Sequence, residues 1–337
     1  MDWERGYTAS YTLDIIDKTT WREIDSIDIT GGSITRESSG LLQSASIDCT
    51  DYEGNEERWV RLYLDTKQAG NSEHVPIFTG LATSPGDSYD GSYQTNTINC
   101  YSVLKPAEDV LLDRGWYAPA GVPGGQLISQ LLSVTPAPVT VEGNSPEITR
   151  SIVADEDETN LSMCEKILQA IGWRIVIDGY GGIHVRALSD EPVAVLDPLE
   201  NDLIEMTVDV EYDWFSAPNV FRAVYNELTA VARDDSPASP LSTVNRGREI
   251  WAQDTSCELA NNETIAECAQ RLLKEAQNVE KTATYDRRFM PDITPGDVLR
   301  FRYPEQSLNG LYRVESQDIE LGFSAKTSEK VTCVQED

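Results

Sequence analysis

The sequence predicts a β-rich α+β fold in which two β domains flank a small α/β module. Three observations carry this reading. Short runs with period-2 patterning fill both ends of the chain, helical patterns are confined to a few internal segments, and turn-forming residues punctuate the strands at regular intervals. At 337 residues the chain has material for two or three domains. Its 40% hydrophobic and 25% charged residues are ordinary for a soluble globular protein.

Residues 1–105 read as β. YTLDII (11–16), IDSIDIT (24–30), SITRES (33–38), LQSASIDCT (42–50), RWVRLYLD (58–65), IFTGLAT (77–83) and TNTINCYSVL (95–104) are strand-length. Gly31-Gly32, Ser39-Gly40, Glu53-Gly54-Asn55 and Asp90-Gly91 separate them as turns. Regular short strands of this kind predict a barrel or a sandwich.

Residues 106–203 differ. Leu127, Ile128, Leu131 and Leu132 share one helical face in a helix over 126–134, which Pro136 and Pro138 end. A second helix fits 161–171, with Leu161, Cys164, Leu168 and Ile171 on one face and Gly172 as its stop. The acidic run Asp155–Glu158 could hold a cation, but its place before that helix assigns it to the N–H groups at the helix start. Alternation then resumes on both sides of Asp178-Gly179-Tyr180-Gly181-Gly182. A dinucleotide fingerprint needs a helix after such glycines, and here a strand follows, so 173–188 reads as a hairpin and not a phosphate cradle.

From 204 the chain returns to β with MTVDVEYDW, PNVFRAVYN and LTAVARDD. A polar loop around 236–240 and a helix over 262–279, opened by a Thr264–Glu267 capping box, interrupt it. TATYDRRF, GDVLRFRY, GLYRVESQDIEL and EKVTCVQ close the chain as strands, with turns at Pro295-Gly296-Asp297 and Leu308-Asn309-Gly310.

Composition narrows the function. With 57 acidic and 27 basic residues, the net charge of −30 repels nucleic-acid phosphates. No run reaches the roughly 18 apolar residues of a membrane span. The N-terminus lacks the pattern of a signal peptide, so synthesis and use in a cytoplasm are expected. Cys49, Cys100, Cys164, Cys257, Cys268 and Cys333 have no metal-ligand spacing and are expected to be reduced. The sequons at Asn160 and Asn262 fall at helix starts, where Asn serves as a cap.

The residues of chemistry are sparse. His74 and His184 are the two histidines, and neither context supplies a nucleophile. HExxH, GxSxG, Walker and EF-hand patterns are absent from the sequence. No catalytic, cofactor-binding or metal-binding residue is therefore assigned, although a carboxylate-only pair cannot be picked out among so many carboxylates.

The order of these pieces resembles a known family. The helix followed by AIGWRIVIDGYGGIHV, then PNVFRAVYN, then RRFMPDITPGDVLRFRY and LNGLYRVESQDIEL, is similar to the tailed-phage baseplate hub proteins of the late control protein D type. Relatives occur in phages, phage-derived bacteriocins and related contractile injection systems, and the resemblance spans essentially the whole chain. It implies two tube-like β-barrel domains, at 1–105 and at 204–235 plus 282–337. The α/β connecting module at 106–203 and a helix-bearing insertion at 236–281 would join them. It implies a homotrimeric, pseudo-sixfold ring joining the tail tube protein to the spike protein, near other baseplate proteins and the tape-measure protein, within a virion or bacteriocin particle. DNA would pass through the lumen without specific binding, and no cofactor or catalysis is implied. The chain stops soon after its last strand, so no appended wall-degrading domain is expected. Two other classes remain: a cell-wall glycosidase or peptidase, and a carbohydrate-binding module using Trp59, Trp116, Tyr117, Trp214 or Trp251.

Overall fold

The computed structural model describes residues 3, 6–38, 43–49, 56–83, 86–90, 93–197, 204–212, 214–225, 228–255, 257, 263–277, 281–323 and 325–336. It divides into two compact units, Met1–Asp209 with Thr284–Asp337, and Val210–Ala283.

The N-terminal strands are β1 (Thr8–Ile16), β2 (Glu23–Glu37), β3 (Gln43–Cys49), β4 (Arg58–Gln68), β5 (Asn71–Ala82), β6 (Gly86–Asp90) and β7 (Tyr93–Ser102). Pairing runs β1–β4–β5–β7–β3–β2 and returns to β1, so six strands close into a ring. Alternation explains the closure. In β4, Val60, Leu62 and Leu64 turn inward to join Leu13, Ile34, Ile47 and Ile98 in one core, while Arg61 and Asp65 take the opposite face. Each such buried aliphatic side chain contributes about 1.5–3 kcal/mol. Gly31-Gly32 is not the expected turn. It lies within one continuous β2 and marks a register shift between Ile29 and Gly31, a bulge that bends the strand without ending it.

The connecting module follows: α1 (Lys105–Asp109), β8 (Tyr117–Ala118), α2 (Gly124–Leu131), β9 (Val139–Val141), β10 (Ile152–Val153), α3 (Asn160–Ile171), β11 (Trp173–Ile177), β12 (Ile183–Ala187) and β13 (Pro192–Leu196). Both expected helices form, the first ending in a 3-10 turn at Leu132–Val134. Thr159, not Asn160, caps α3, through a reciprocal pair with Ser162. Asn160 is buried instead, and its amide donates to the Leu131 carbonyl at 2.9 Å. Strands β11 and β12 form the predicted hairpin, and β9 adds in parallel beside β12. A core of Ile128, Met163, Ile167, Ile175 and Val185 fills the module and continues into Ile16 and Trp59 of the ring.

Next come β14 (Ile204–Tyr212), β15 (Val220–Tyr225), β16 (Leu228–Arg233), α4 (Thr243–Arg246), β17 (Trp251–Asp254) and α5 (Ile265–Ala276). The last strands are β18 (Lys281–Arg288), β19 (Val298–Tyr303), β20 (Leu308–Glu320) and β21 (Lys326–Glu336). Residues 220–233, expected beside the final strands, pair with β17 as a separate three-stranded sheet. The cause is the α5 stripe, whose Cys268, Ala269 and Leu273 pack on Phe221, Ala223 and Ala232. The capping box of α5 forms as predicted between Thr264 and Glu267, while Asn262 lies outside the described residues. The last turn falls at Pro304–Gln306, because Leu308–Gly310 already pairs with β19.

Strand β20 also pairs with β2, Thr35 opposite Asp318 and Arg36 opposite Gln317, and so joins the ring to β21, β18 and β14 in one sheet. Beneath this seam lies a buried polar cluster. Glu329 accepts from Tyr285 Oη at 2.5 Å, Arg287 Nε at 2.7 Å and Gln317 Nε2 at 2.7 Å. Arg287 and Glu329 are both 0% exposed. Burial, the largest single influence, opposes the Arg287 charge, yet the Glu329 carboxylate and Tyr285 together raise its pKa. Arg36 donates to the Ile77 carbonyl, and burial followed by Arg287 lowers its pKa to about 10. Above the pair, Phe301 meets Tyr285 and Tyr312 edge-on with centroids 5.3 Å away.

Removing the carboxylate strands a buried guanidinium. Glu329→Ala is therefore expected to lower unfolding free energy by about 3–5 kcal/mol, read from urea denaturation. An unchanged midpoint would show that the cluster does not hold the seam.

Candidate functional site

The two motifs that organise the sequence meet at the β11–β12 hairpin. Its tip lies on the ring, where Thr79 Oγ1 donates to the Gly179 carbonyl at 2.7 Å. Trp21 Nε1 and Arg61 Nη2 both donate to the Tyr180 carbonyl at 3.0 Å. The Arg61 guanidinium also lies 5.1 Å from the Tyr180 ring centroid. A Cβ on Gly179 would overlap the Pro76 carbonyl, so glycine serves close approach here, not phosphate binding.

Arg61 is itself oriented from the ring. Its Nη1 donates to Glu23 Oε1 at 2.8 Å and its Nε to Thr79 Oγ1 at 3.2 Å. The Tyr63 hydroxyl also donates to Glu23. That bond, with the Arg61 charge, holds the Glu23 carboxyl below its usual range. Burial and the same bond push the Tyr63 phenol up to about 12. His74 stacks on Tyr63 at 3.8 Å and sits 2.6 Å from Asp65.

The hairpin base reaches the Pro295-Gly296-Asp297 turn. Arg174 Nη2 donates to Asp297 Oδ1 at 2.5 Å and its Nη1 to the Pro295 carbonyl at 3.2 Å. Asp297 Oδ2 accepts from Thr294 N and Oγ1 at 2.8 and 2.7 Å, which fixes the turn. Gly296 adopts φ 86°, and a Cβ there would strike the Arg174 guanidinium. One hairpin thus braces the ring at its tip and the C-terminal turn at its base.

His184 is 2.9 Å from Glu142 and 3.0 Å from Asp178, whose other oxygen accepts from Gly182 N. It closes the hairpin turn, with no nucleophile among these partners. The acidic run does not take the helix N–H groups, which Thr159 caps: Glu158 accepts from Asp155 N and Ser162 Oγ and pairs with Lys166 at 2.7 Å. Among the described residues no three His, Cys, Asp or Glu side chains are grouped to hold a metal. No helix among them is long and apolar enough to cross a membrane. Of the aromatics considered for sugar stacking, Trp59 is buried, Trp116 is partly buried, and Tyr117, Trp214 and Trp251 are exposed.

The remaining surface feature is the outer face of the joined sheet. Cross-strand rows run Asn99–Ser46–Ser33–Glu320 and Tyr101–Ser44–Thr35–Asp318–Ser328. Small hydroxyls and carboxylates dominate these rows. A shallow concavity of about 420 Å³ lies there between Ser33, Asp286, Asp318, Glu320, Lys326 and Ser328.

No family model matches the chain, and neither does any curated protein. Solved structures do. The fold is similar to that of a tail protein from Neisseria meningitidis MC58, at 16% identity over 98% of this chain and 97% of that one, with TM-score 0.66. It is similar to the 43 kDa tail protein of prophage MuSo2 from Shewanella oneidensis, at 13% identity over 97% of each chain, with TM-score 0.63. The E. coli c3393 protein, a type VI secretion component described as similar to T4 tail proteins gp27 and gp5, matches at 10% identity. That match covers 95% of this chain and 76% of that one, with TM-score 0.53. The chain has a phage tail-protein fold, as the order of its motifs predicts.

Two tests address the brace. Gly179→Ala should displace the hairpin tip and cost about 1–3 kcal/mol in urea unfolding, and wild-type stability would show that the tip is not held. The Glu23 carboxyl has a lowered folded pKa, so its contribution is complete above the ordinary value of 4.5 and lost as pH falls through the folded one. Glu23→Gln should therefore flatten the acid limb of a Tm-against-pH curve, and an unaltered limb would remove Glu23 from the brace.

Proposed function

We propose that this chain is a structural hub of a phage-type tail or related injection machine, and not an enzyme. The single observation carrying this reading is the end-to-end likeness to two tail proteins, each matched over 97% of its own length. In this reading the six-strand ring and the C-terminal sheet act as two tube-like barrels per chain. Three chains then form a pseudo-sixfold ring between tail tube and spike, because two similar units per copy let a trimer meet a sixfold partner.

The outer face of the joined sheet supports a channel in this reading. Its small hydroxyls offer no large apolar surface, and its carboxylates repel phosphate, so DNA would slide without the counterion release that drives binding. The net charge of −30 is in keeping with such a lumen. Assembly into a tail particle, with baseplate proteins as neighbours, follows from the same reading.

Electron microscopy of the purified chain, alone and with the tail tube protein, should show threefold rings with a central opening. A chain that forms no ring under either condition and clears peptidoglycan in a zymogram would overturn the hub in favour of a wall-degrading enzyme.

A further inference from the structure

Two surfaces outside the brace complement one another in charge. The first is in the Val210–Ala283 unit, where residues 214–217 are held from behind by arginines. Arg246 Nη1 donates to the Ala217 carbonyl at 2.6 Å, and its Nη2 donates to the Trp214 carbonyl. Arg248 Nη2 donates to the Phe215 carbonyl at 2.8 Å, and its guanidinium lies 4.1 Å from the Phe215 ring centroid. The pinned backbone directs aromatic side chains outward: Phe215 is 76% exposed and Trp214 49%. Asn219, which donates to the Arg248 carbonyl and accepts from Ile250 N, ties this loop to Trp251, itself exposed beneath Arg222. Arg246 and Arg248 donate to carbonyls, and neither makes a salt bridge among the described residues. A chain with net charge −30 thus presents here an exposed aromatic pair flanked by two arginines that make no salt bridge among the described residues.

The second surface is on the connecting module. Tyr117 and Val153 are cross-strand partners in β8 and β10, and Leu111 bridges to Thr159 beside them. Leu111 is 61% exposed and Val153 65%. Exposed Asp113 and Asp155–Asp157 neighbour these residues in sequence. Arg114 pairs with Glu156 and Lys166 with Asp155, while Asp113 and Asp157 make no salt bridge among the described residues.

We propose that the Trp214–Phe215 knob of one copy docks on the Leu111–Tyr117–Val153 patch of a second copy of this chain. The proposal rests on the ring reading above and names a contact that would help close the ring. Charge complementarity selects the occupant, since an arginine-flanked aromatic pair meets apolar residues that neighbour Asp113 and Asp157, two carboxylates with no salt bridge among the described residues. Aromatic residues and arginine carry much of the energy at protein interfaces. A backbone already pinned loses little freedom on docking. Different surfaces on the two partners make the contact heterologous, as ring closure requires.

Sedimentation of the full chain tests this with Phe215→Ala, Arg248→Glu, Asp157→Lys, the R248E/D157K pair, and Asp28→Lys as a remote charge control. Circular dichroism checks that each variant is folded. The wild type should associate with rising concentration, and each single variant should weaken association about tenfold or more. The charge-swapped pair should regain most of it, and the control should behave as wild type. Single variants that associate as wild type, a pair as weak as its parents, or a wild type monomeric at every concentration would overturn the contact. Arg248→Glu chains found in intact threefold rings would overturn this contact and leave the ring standing. Association that depends on these residues but never yields a ring would do the reverse.

Discussion

The ladder between Ser33–Glu37 and Ser316–Glu320 is the constraint on which the larger unit depends. Without it, the N-terminal ring and the C-terminal strands would be two sheets far apart in the chain. With it, inward and outward positions of both halves are set by one parity, because a strand slip of one residue would reverse every side chain. Ser33, Thr35, Asp318 and Glu320 must then share the outer face, while Ile34, Arg36, Gln317 and Ile319 share the inner one. The buried cluster of Tyr285, Arg287, Gln317 and Glu329 is a consequence of that registration. A buried ion pair is a weak source of net stability, since desolvation offsets most of its attraction. Its value is geometric: Glu329 is satisfied only when three strands bring their donors to it together.

The hairpin solves a different problem. A ladder joins strands along one line and leaves the rest of each half free to pivot. The β11–β12 hairpin supplies a second attachment, with Gly179 and Tyr180 at one end and Arg174 on Asp297 at the other. Arg61 and Asp297 are buried while Glu23 reaches solvent, so these charges are held by short directional bonds that salt screens little. The glycines that made this segment resemble a nucleotide site allow the turn to approach Pro76 and Arg174 to reach across Gly296.

Much of this was legible in the sequence, and the failures have physical causes. Period-2 alternation located the ring strands, and the helical stripes located α2, α3 and α5 to within a few residues. Parity in RWVRLYLD already sets Arg61 apart from Val60 and Leu62, so the signal for its role was present, but not the identity of Tyr180 as its partner. Local pattern could not reveal that 220–233 would leave the final strands for β17, because that choice is made by burial against α5. Nor could it distinguish Gly31-Gly32 as a bulge from a turn, since both use glycine and only the partner strand decides. Arg287 and Glu329 lie 42 residues apart and have no motif.

The absence of a recognisable catalytic pattern takes on meaning only beside these packing facts. His74 stacks on Tyr63 and His184 is held between two carboxylates, each inside a network that orients the brace. Glu23, the carboxyl with the most specific surroundings at the brace, is occupied by Arg61 and Tyr63. An active site leaves a reactive group with an unfilled position where substrate can enter. Here Glu23, Arg61, Thr79 and Asp297 spend hydrogen bonds on one another and on neighbouring segments, while Arg174 Nε is buried without a partner. Such closure holds the hairpin against the ring at one end and the C-terminal turn at the other, and it leaves these side chains to a packing role.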